Sequence, residues 1–203
     1  AEILKCDVDV LGFERGAYRT PSGKSVPFLE VRAAVDAPAE AQAFVSADGA
    51  TFPNGCHICE VVINTDTGVA EVDRYTVVDD VGTVVNPLLV KGQVAGGVAQ
   101  GVGQALMENI QYEDGSGQLL TASFMDYAIP RSESLPEFVV LFHPVPSLMN
   151  PLGAKGACEA VTVCALAVVI SAVSDALAAY GVHHIDMPAT PLRIWQALQG
   201  TRA

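Results

Sequence analysis

The segment Asn150-Pro151-Leu152-Gly153-Ala154-Lys155-Gly156-Ala157-Cys158-Glu159 delivers one carboxylate through a small-residue turn to the head of a long apolar stretch. From Ala160 to Tyr180 the only other carboxylate is Asp175. A carboxylate at a helix start is favoured by the helix dipole and by unpaired amides, and glycines beside it let a ligand approach the backbone. These residues alone leave two roles open for Glu159: an ordinary helix cap and an acid–base group. A second run, Gly92, Gly96, Gly97, Gly101 and Gly103, falls in otherwise helical sequence. Each interior glycine costs about 1 kcal/mol relative to alanine, so several together need a reason. Gly92 and Gly96, or Gly97 and Gly101, share one face, which admits either another backbone or a flat cofactor. The run fits neither a phosphate loop nor a dinucleotide fingerprint.

The remaining chemistry-bearing residues suggest less. Asp79-Asp80 lacks a third oxygen ligand at a spacing suited to a hard cation, and is expected to fix the turn before Asn86. Cys56-x-x-Cys59 is a lone pair whose side chains would point to opposite faces of a strand, as small hydrophobes. No cysteine cluster could hold an iron–sulfur centre. His183-His184 point apart beside a helix stop. Tyr127 and Trp195 read as packing residues, and no serine or cysteine nucleophile motif occurs.

The loop ending at Glu159 resembles the C-terminal active-site loop of the molybdenum hydroxylases, the family of xanthine dehydrogenase, aldehyde oxidase and carbon monoxide dehydrogenase large subunits. Their loop runs Asn-Pro-Leu-Gly-x-Lys-Gly-x-Gly-Glu-Ala-Gly-Thr. The resemblance continues, in order, through Gly55-Cys56-His57, Glu60-Val61-Val62, Asp66-Thr67-Gly68, Asp79-Asp80-Val81-Gly82 and Asn86-Pro87. It extends along Gly92-Gln93-Val94-Ala95-Gly96-Gly97, Asp126-Tyr127-Ala128-Ile129-Pro130 and His184-Ile185-Asp186-Met187-Pro188.

The resemblance implies a molybdenum-dependent oxidoreductase that hydroxylates an aldehyde, an N-heterocycle or CO with water-derived oxygen, with Glu159 as general base. It implies that Gln93, Lys155, Gly156, Ala157 and Cys158 bind a molybdenum–molybdopterin cofactor, in its plain or cytosine dinucleotide form. The metal would be held by the pterin dithiolene, so no residue is expected to ligate it. Gln100 and Gln104, further along the same helix, are expected to be structural. FAD and [2Fe-2S] centres are expected on partner domains or subunits, together with the remaining part of the molybdopterin-binding subunit, in a hetero-oligomer.

Two departures from the family pattern matter. Its glycine before the glutamate is Cys158 here, and the region after it reads Val161-Thr162-Val163-Cys164-Ala165-Leu166, without glycine. These changes motivate an alternative expectation, a non-catalytic degenerate domain of the same fold.

Of 203 residues, half are hydrophobic and 17% charged, which suits a packed globular protein with a sizeable core. The net charge of −12, with no basic cluster, argues against nucleic acid. Five cysteines, an odd number, do not suggest a secreted disulfide framework, and a cytoplasmic location is the default. The apolar run Ala160–Val173 is expected to be too short to span a bilayer. The N-terminus has no signal-peptide organisation and enters strand-like sequence directly, as a piece of a larger chain would.

The expected fold is α+β, a mixed α/β arrangement forming the C-terminal portion of a molybdopterin-binding domain. Residues 1–40 would be a partial N-terminal α/β segment and 41–203 the C-terminal domain, with residues 37–41 as the seam. Expected elements are a strand at Cys6–Leu11, a helix at Ser25–Val35 opened by a serine cap, and strands at Cys56–Asn64 and Val69–Val78 joined by a hairpin turn. A long helix follows Asn86-Pro87 to about Ile110, then a strand at Pro136–Val145. A helix runs from Glu159 to Tyr180, and a last one lies near Pro191–Leu198.

Overall fold

The computed structural model describes residues 1–35, 40, 42–46, 49–157 and 159–200. The chain divides into two compact units, Ala1–Ser46 and Ala47–Ala203. The seam expected at residues 37–41 lies outside the described residues except for Glu40.

The first unit differs from its sequence expectations. Cys6–Leu11 is not a strand. The Asp7 side chain accepts the Asp9 amide and turns the chain into a short 3-10 helix at Val8–Val10. Strands follow at Gly12–Glu14 (β1), Ala17–Arg19 (β2) and Ser25–Pro27 (β3), in an antiparallel sheet of order β1-β2-β3. Ser25 therefore pairs with Arg19 in the sheet and caps nothing. The helix begins after Pro27, whose fixed extended backbone ends β3, and spans Phe28–Ala33 (α1).

The second unit is a helix-on-sheet layer. Strands Asn54–Ile63 (β4) and Ala70–Asp80 (β5) form an antiparallel hairpin. Asn64 Oδ1 accepts the Asp66 and Thr67 amides at its turn, and Gly68 takes the left-handed conformation (φ 74°). Helix Pro87–Leu106 (α2) opens on Asn86, whose Oδ1 accepts the Leu88 and Leu89 amides, with Pro87 in the first turn. It stops before the expected Ile110, because the Met107 and Glu108 amides both turn back to the Gly103 carbonyl.

Strand Phe138–Phe142 (β6) is shorter than expected and adds to β5 in parallel, with Tyr75 opposite Phe138. The Tyr75 and Phe138 rings meet edge to face at 6.0 Å. Helix Glu159–Ala178 (α3) packs on α2 and β4, and Pro191–Gly200 (α4) closes the core through Ile194 and Leu198.

The core sits between one sheet face and the helices. From β5 come Val72, Tyr75 and Val77; from α2, Val94, Val98 and Val102; from α3, Val161, Ala165, Val169, Val173 and Leu177. Both helices bury residues at four-residue spacing, the rows that pack as ridges into grooves. At 20 residues, α3 ends two residues before the expected Tyr180, but it extends beyond the apolar run Ala160–Val173, and by length and composition alone it would reach across a membrane. Its Val161–Leu177 stripe is instead the central row of this core.

Two of the five glycines in the run, Gly97 and Gly101, are explained by that packing. A methyl on Gly97 would lie 3.0 Å from the Val161 side chain, and one on Gly101 would fall on the Ala165 methyl, 2.8 Å from the Leu166 nitrogen. Gly92 and Gly96 face open space. The two faces left open by the sequence therefore have different occupants: one receives α3 and the other receives none of the described residues.

Candidate functional site around Glu159

The loop before Glu159 is built on its own first residue. Asn150 Oδ1 accepts the Ala154 amide at 3.1 Å, and its Nδ2 donates to the Ala154 carbonyl at 2.9 Å. Gly153, at φ 66°, closes the turn. Residues 153–155 then run antiparallel to the chain leaving β5. The Thr83 amide donates to the Gly153 carbonyl, the Lys155 amide donates to the Val81 carbonyl, and Gly82 bridges Ala154. Gly82 is also left-handed (φ 64°), and a side chain there would strike the Gly153 carbonyl.

Asp80 joins these pieces. It is buried, with 6% of its surface exposed. Its Oδ2 accepts from Lys155 Nζ at 2.5 Å and from Asn54 Nδ2 at 3.3 Å. Its Oδ1 accepts the Gly82 amide at 2.8 Å and the Val145 amide at 2.9 Å. Burial alone would raise the carboxyl pKa. The Lys155 hydrogen bond, the two backbone amides and the lysine charge outweigh it and hold the group well below the usual carboxylate range.

Asp79 faces the core side and completes a second buried chain. Tyr75 OH and His57 Nδ1 are 2.9 Å apart, and His57 Nε2 lies 3.3 Å from Asp79 Oδ1. The Tyr75 phenol pKa is raised, first by burial and then by neighbouring Cys59, Cys164 and Asp79, which favours its neutral, hydrogen-bonding form. Asp79 Oδ2 is sealed from solvent and has no hydrogen-bond partner among the described residues. Gly55 stands opposite Asp79 in the β4–β5 register, and a side chain there would strike Asp79 Oδ1.

These elements surround a cleft of about 670 Å³, bordered by Asn54, Gly55, Asp79, Gly156, Ala157, Glu159 and Cys164. Glu159 is exposed on its rim as the first residue of α3. The space is ligand-sized and has small-residue walls, and its lining among the described residues carries two carboxylates and neither lysine nor arginine. A smaller apolar pocket of about 270 Å³ around Tyr112, Phe124 and Tyr127 contains none of these groups.

The structure brings Glu159, Gly156 and Ala157 together at the cleft. The Lys155 ammonium turns to Asp80. Gln93 lies exposed near the start of α2 and is not among the cleft-lining residues. Cys158 lies outside the described residues. Gln100 accepts from Thr162 Oγ1 across the α2–α3 contact at 3.4 Å. His183 and His184 are exposed, with His184 paired to Asp186, and Tyr127 OH donates to Glu108. Asp80 fixes the turn after β5 through the Gly82 amide. The sequence did not reveal the His57–Asp79 chain. Only the Gly55-Cys56-His57 motif hinted at it, because its partners are 22 residues apart across the hairpin.

Residues 1–136 match the family described as the molybdopterin cofactor-binding domain. The carbon monoxide dehydrogenase large chain of Hydrogenophaga pseudoflava is 35% identical over 90% of this chain and 21% of its own length. The nicotine 6-hydroxylase large subunit of Paenarthrobacter nicotinovorans is 39% identical over 73% of this chain and 18% of its own length. The chain thus spans about a fifth of the curated relatives it matches. Quinoline 2-oxidoreductase from Pseudomonas putida 86 superposes with a TM-score of 0.85 at 34% identity, covering 97% of this chain and 27% of that one. The Cu,Mo-CO dehydrogenase superposes with a TM-score of 0.84 at 29% identity, covering 100% of this chain and 26% of that one. The fold and the sequence therefore agree that the chain belongs to the molybdopterin cofactor-binding domain family of the molybdenum hydroxylases.

Proposed function

We propose that the chain is the C-terminal part of the molybdopterin-binding catalytic subunit of a molybdenum hydroxylase, oxidising an aldehyde, an N-heterocycle or CO, with Glu159 as general base. The observation that carries this reading is the position of Glu159 at the head of α3, on the rim of a small-walled cleft. A carboxylate there can take a proton from a group bound in the cleft, and among the described residues no cation lines the cleft to neutralise it.

The residues present fit the cofactor. Gly156 leaves its wall free of a side chain, Gly55 makes room for Asp79, and a donor on an occupant is the partner that the buried Asp79 Oδ2 lacks. Gly156, Ala157 and Cys158 would hold it from the loop, with Lys155 contributing through the backbone that carries them. Gln93, from α2, would bind it by its amide, which both donates and accepts. When bound, the cofactor supplies the redox centre and the activated oxygen. The protein residues orient the substrate and hold the proton at the Glu159 carboxylate. FAD and [2Fe-2S] subunits, and the remainder of the molybdopterin-binding subunit, would complete a cytoplasmic hetero-oligomer.

Metal and pterin analysis of the purified assembly tests the proposal. Molybdenum and pterin near one per chain support it. A folded assembly with neither supports the degenerate-domain alternative, which the cysteine at residue 158 favours.

A further inference from the structure

Asp80 touches both walls of the Glu159 cleft without lining it. Through Oδ2 it holds Asn54, a wall residue at the start of β4, and Lys155, the residue before Gly156 on the opposite wall. Through Oδ1 it holds the Gly82 amide, at the bend against which residues 153–155 are paired, and the Val145 amide after β6. Lys155 is the cation nearest to Glu159 in sequence, four residues before it. Its side chain is only 12% exposed, and its ammonium is engaged with a carboxylate that is itself buried.

We propose that Asp80 is a positioning residue of the Glu159 site and acts through Lys155. The inference rests on the base role proposed for Glu159. The pair holds the ammonium on Asp80, so that Lys155, the cation nearest in sequence, does not neutralise Glu159. It also fixes the 153–155 strand segment, and so the point from which Gly156, Ala157 and Glu159 are launched. The direction of the Asp80 pKa agrees, since the group stays charged despite its burial. The groups bordering the cleft that Glu159 shares are Asp79 and Cys164, neither of which is a cation, so a released Lys155 would be a new type of neighbour there.

The test uses the cofactor-loaded assembly carrying Asp80→Asn, Lys155→Met and both changes together. Asp80→Asn keeps an acceptor for the Gly82 and Val145 amides but removes the charge that holds Lys155. The expected result is unchanged molybdenum and pterin content. Acylation of Lys155 by an N-hydroxysuccinimide ester, read by mass spectrometry, should rise about tenfold or more, as loss of a charge-assisted hydrogen bond implies. Turnover is measured on the best substrate found among an aromatic aldehyde, an N-heterocycle and CO. Each single variant should lower kcat more than it changes KM, and the double variant should be no worse than the worse single one.

Equal Lys155 labelling in wild type and Asp80→Asn, or kcat losses that simply multiply, would overturn the proposal. If Lys155→Met does not fold, the labelling result, together with amide exchange at Thr83 and Lys155, still decides. Failure here with an inactive Glu159→Gln leaves the base reading intact. Normal turnover in Glu159→Gln removes the base reading itself.

Discussion

A methyl group added to α2 should stabilise or destabilise the protein according to which side of the helix it enters. At Gly101 the new carbon would fall on the Ala165 methyl, 2.8 Å from the Leu166 nitrogen and 3.0 Å from the Ala165 carbonyl carbon. These atoms belong to the α3 backbone or its first side-chain carbon, so no rotamer change can relieve them, and the helices must separate. Overpacking of that kind costs about 1–3 kcal/mol, here toward the upper end because the clash is with backbone. The gain in helix propensity offsets about 1 kcal/mol of it. Gly101→Ala should therefore destabilise the protein by roughly 2 kcal/mol, allowing for the propensity gain. At Gly96 nothing lies within 4 Å of the added carbon, and the propensity gain of about 1 kcal/mol stands alone. For a protein of this size the two variants should shift Tm by about −4 to −8 °C and +2 to +4 °C, measured by differential scanning calorimetry. A Gly101→Ala protein with a Tm at or above wild type would refute the close α2–α3 crossing on which α3 and Glu159 are placed.

Other expectations concern charge and reactivity. Asp80 is held below its ordinary value, so its stabilising contribution is complete above the unfolded-state pKa of about 3.9 and is lost as pH falls further, toward the folded value. Asp80→Asn should lower Tm at pH 7, and the gap from wild type should narrow below about pH 4; a gap independent of pH would show that the charge of Asp80 contributes nothing. Cys59 is pushed up to about 11, first by burial and then by the Glu60 charge, while Cys56 is exposed on the other face of β4. Iodoacetamide at pH 8 should therefore label Cys56 well before Cys59, as peptide mass spectrometry would read; the reverse order would mean that β4 is turned over.

The parts of the fold visible in the sequence are those whose signals are local. The β4–β5 hairpin announces itself by Val and Ile runs around Asn64–Gly68, and α2 by Asn86-Pro87, because caps and turns act within three or four residues. The first unit is poorly legible for the same reason. Its strands are three residues long, too short to show a period, and Ser25 resembles a cap only until its pairing with Arg19 is known. The carboxylate of Glu159 could be singled out from its apolar context. The destination of Lys155 could not, since Asp80 lies 75 residues away and either lysine role fits the local sequence. Likewise Asp79-Asp80 reads as one acidic pair, whereas alternation along β5 sends one carboxylate to His57 and the other to Lys155.

The central claim is that Glu159 is the base of the site, and Glu159→Gln in the cofactor-loaded assembly tests it most directly. The amide preserves the shape and hydrogen-bonding reach of the carboxylate but cannot accept the proton. Molybdenum and pterin content should equal wild type while turnover falls about 10²–10⁴-fold, the usual loss when a general base is removed. Normal turnover at unchanged molybdenum content would contradict the account and leave Glu159 as the cap of α3.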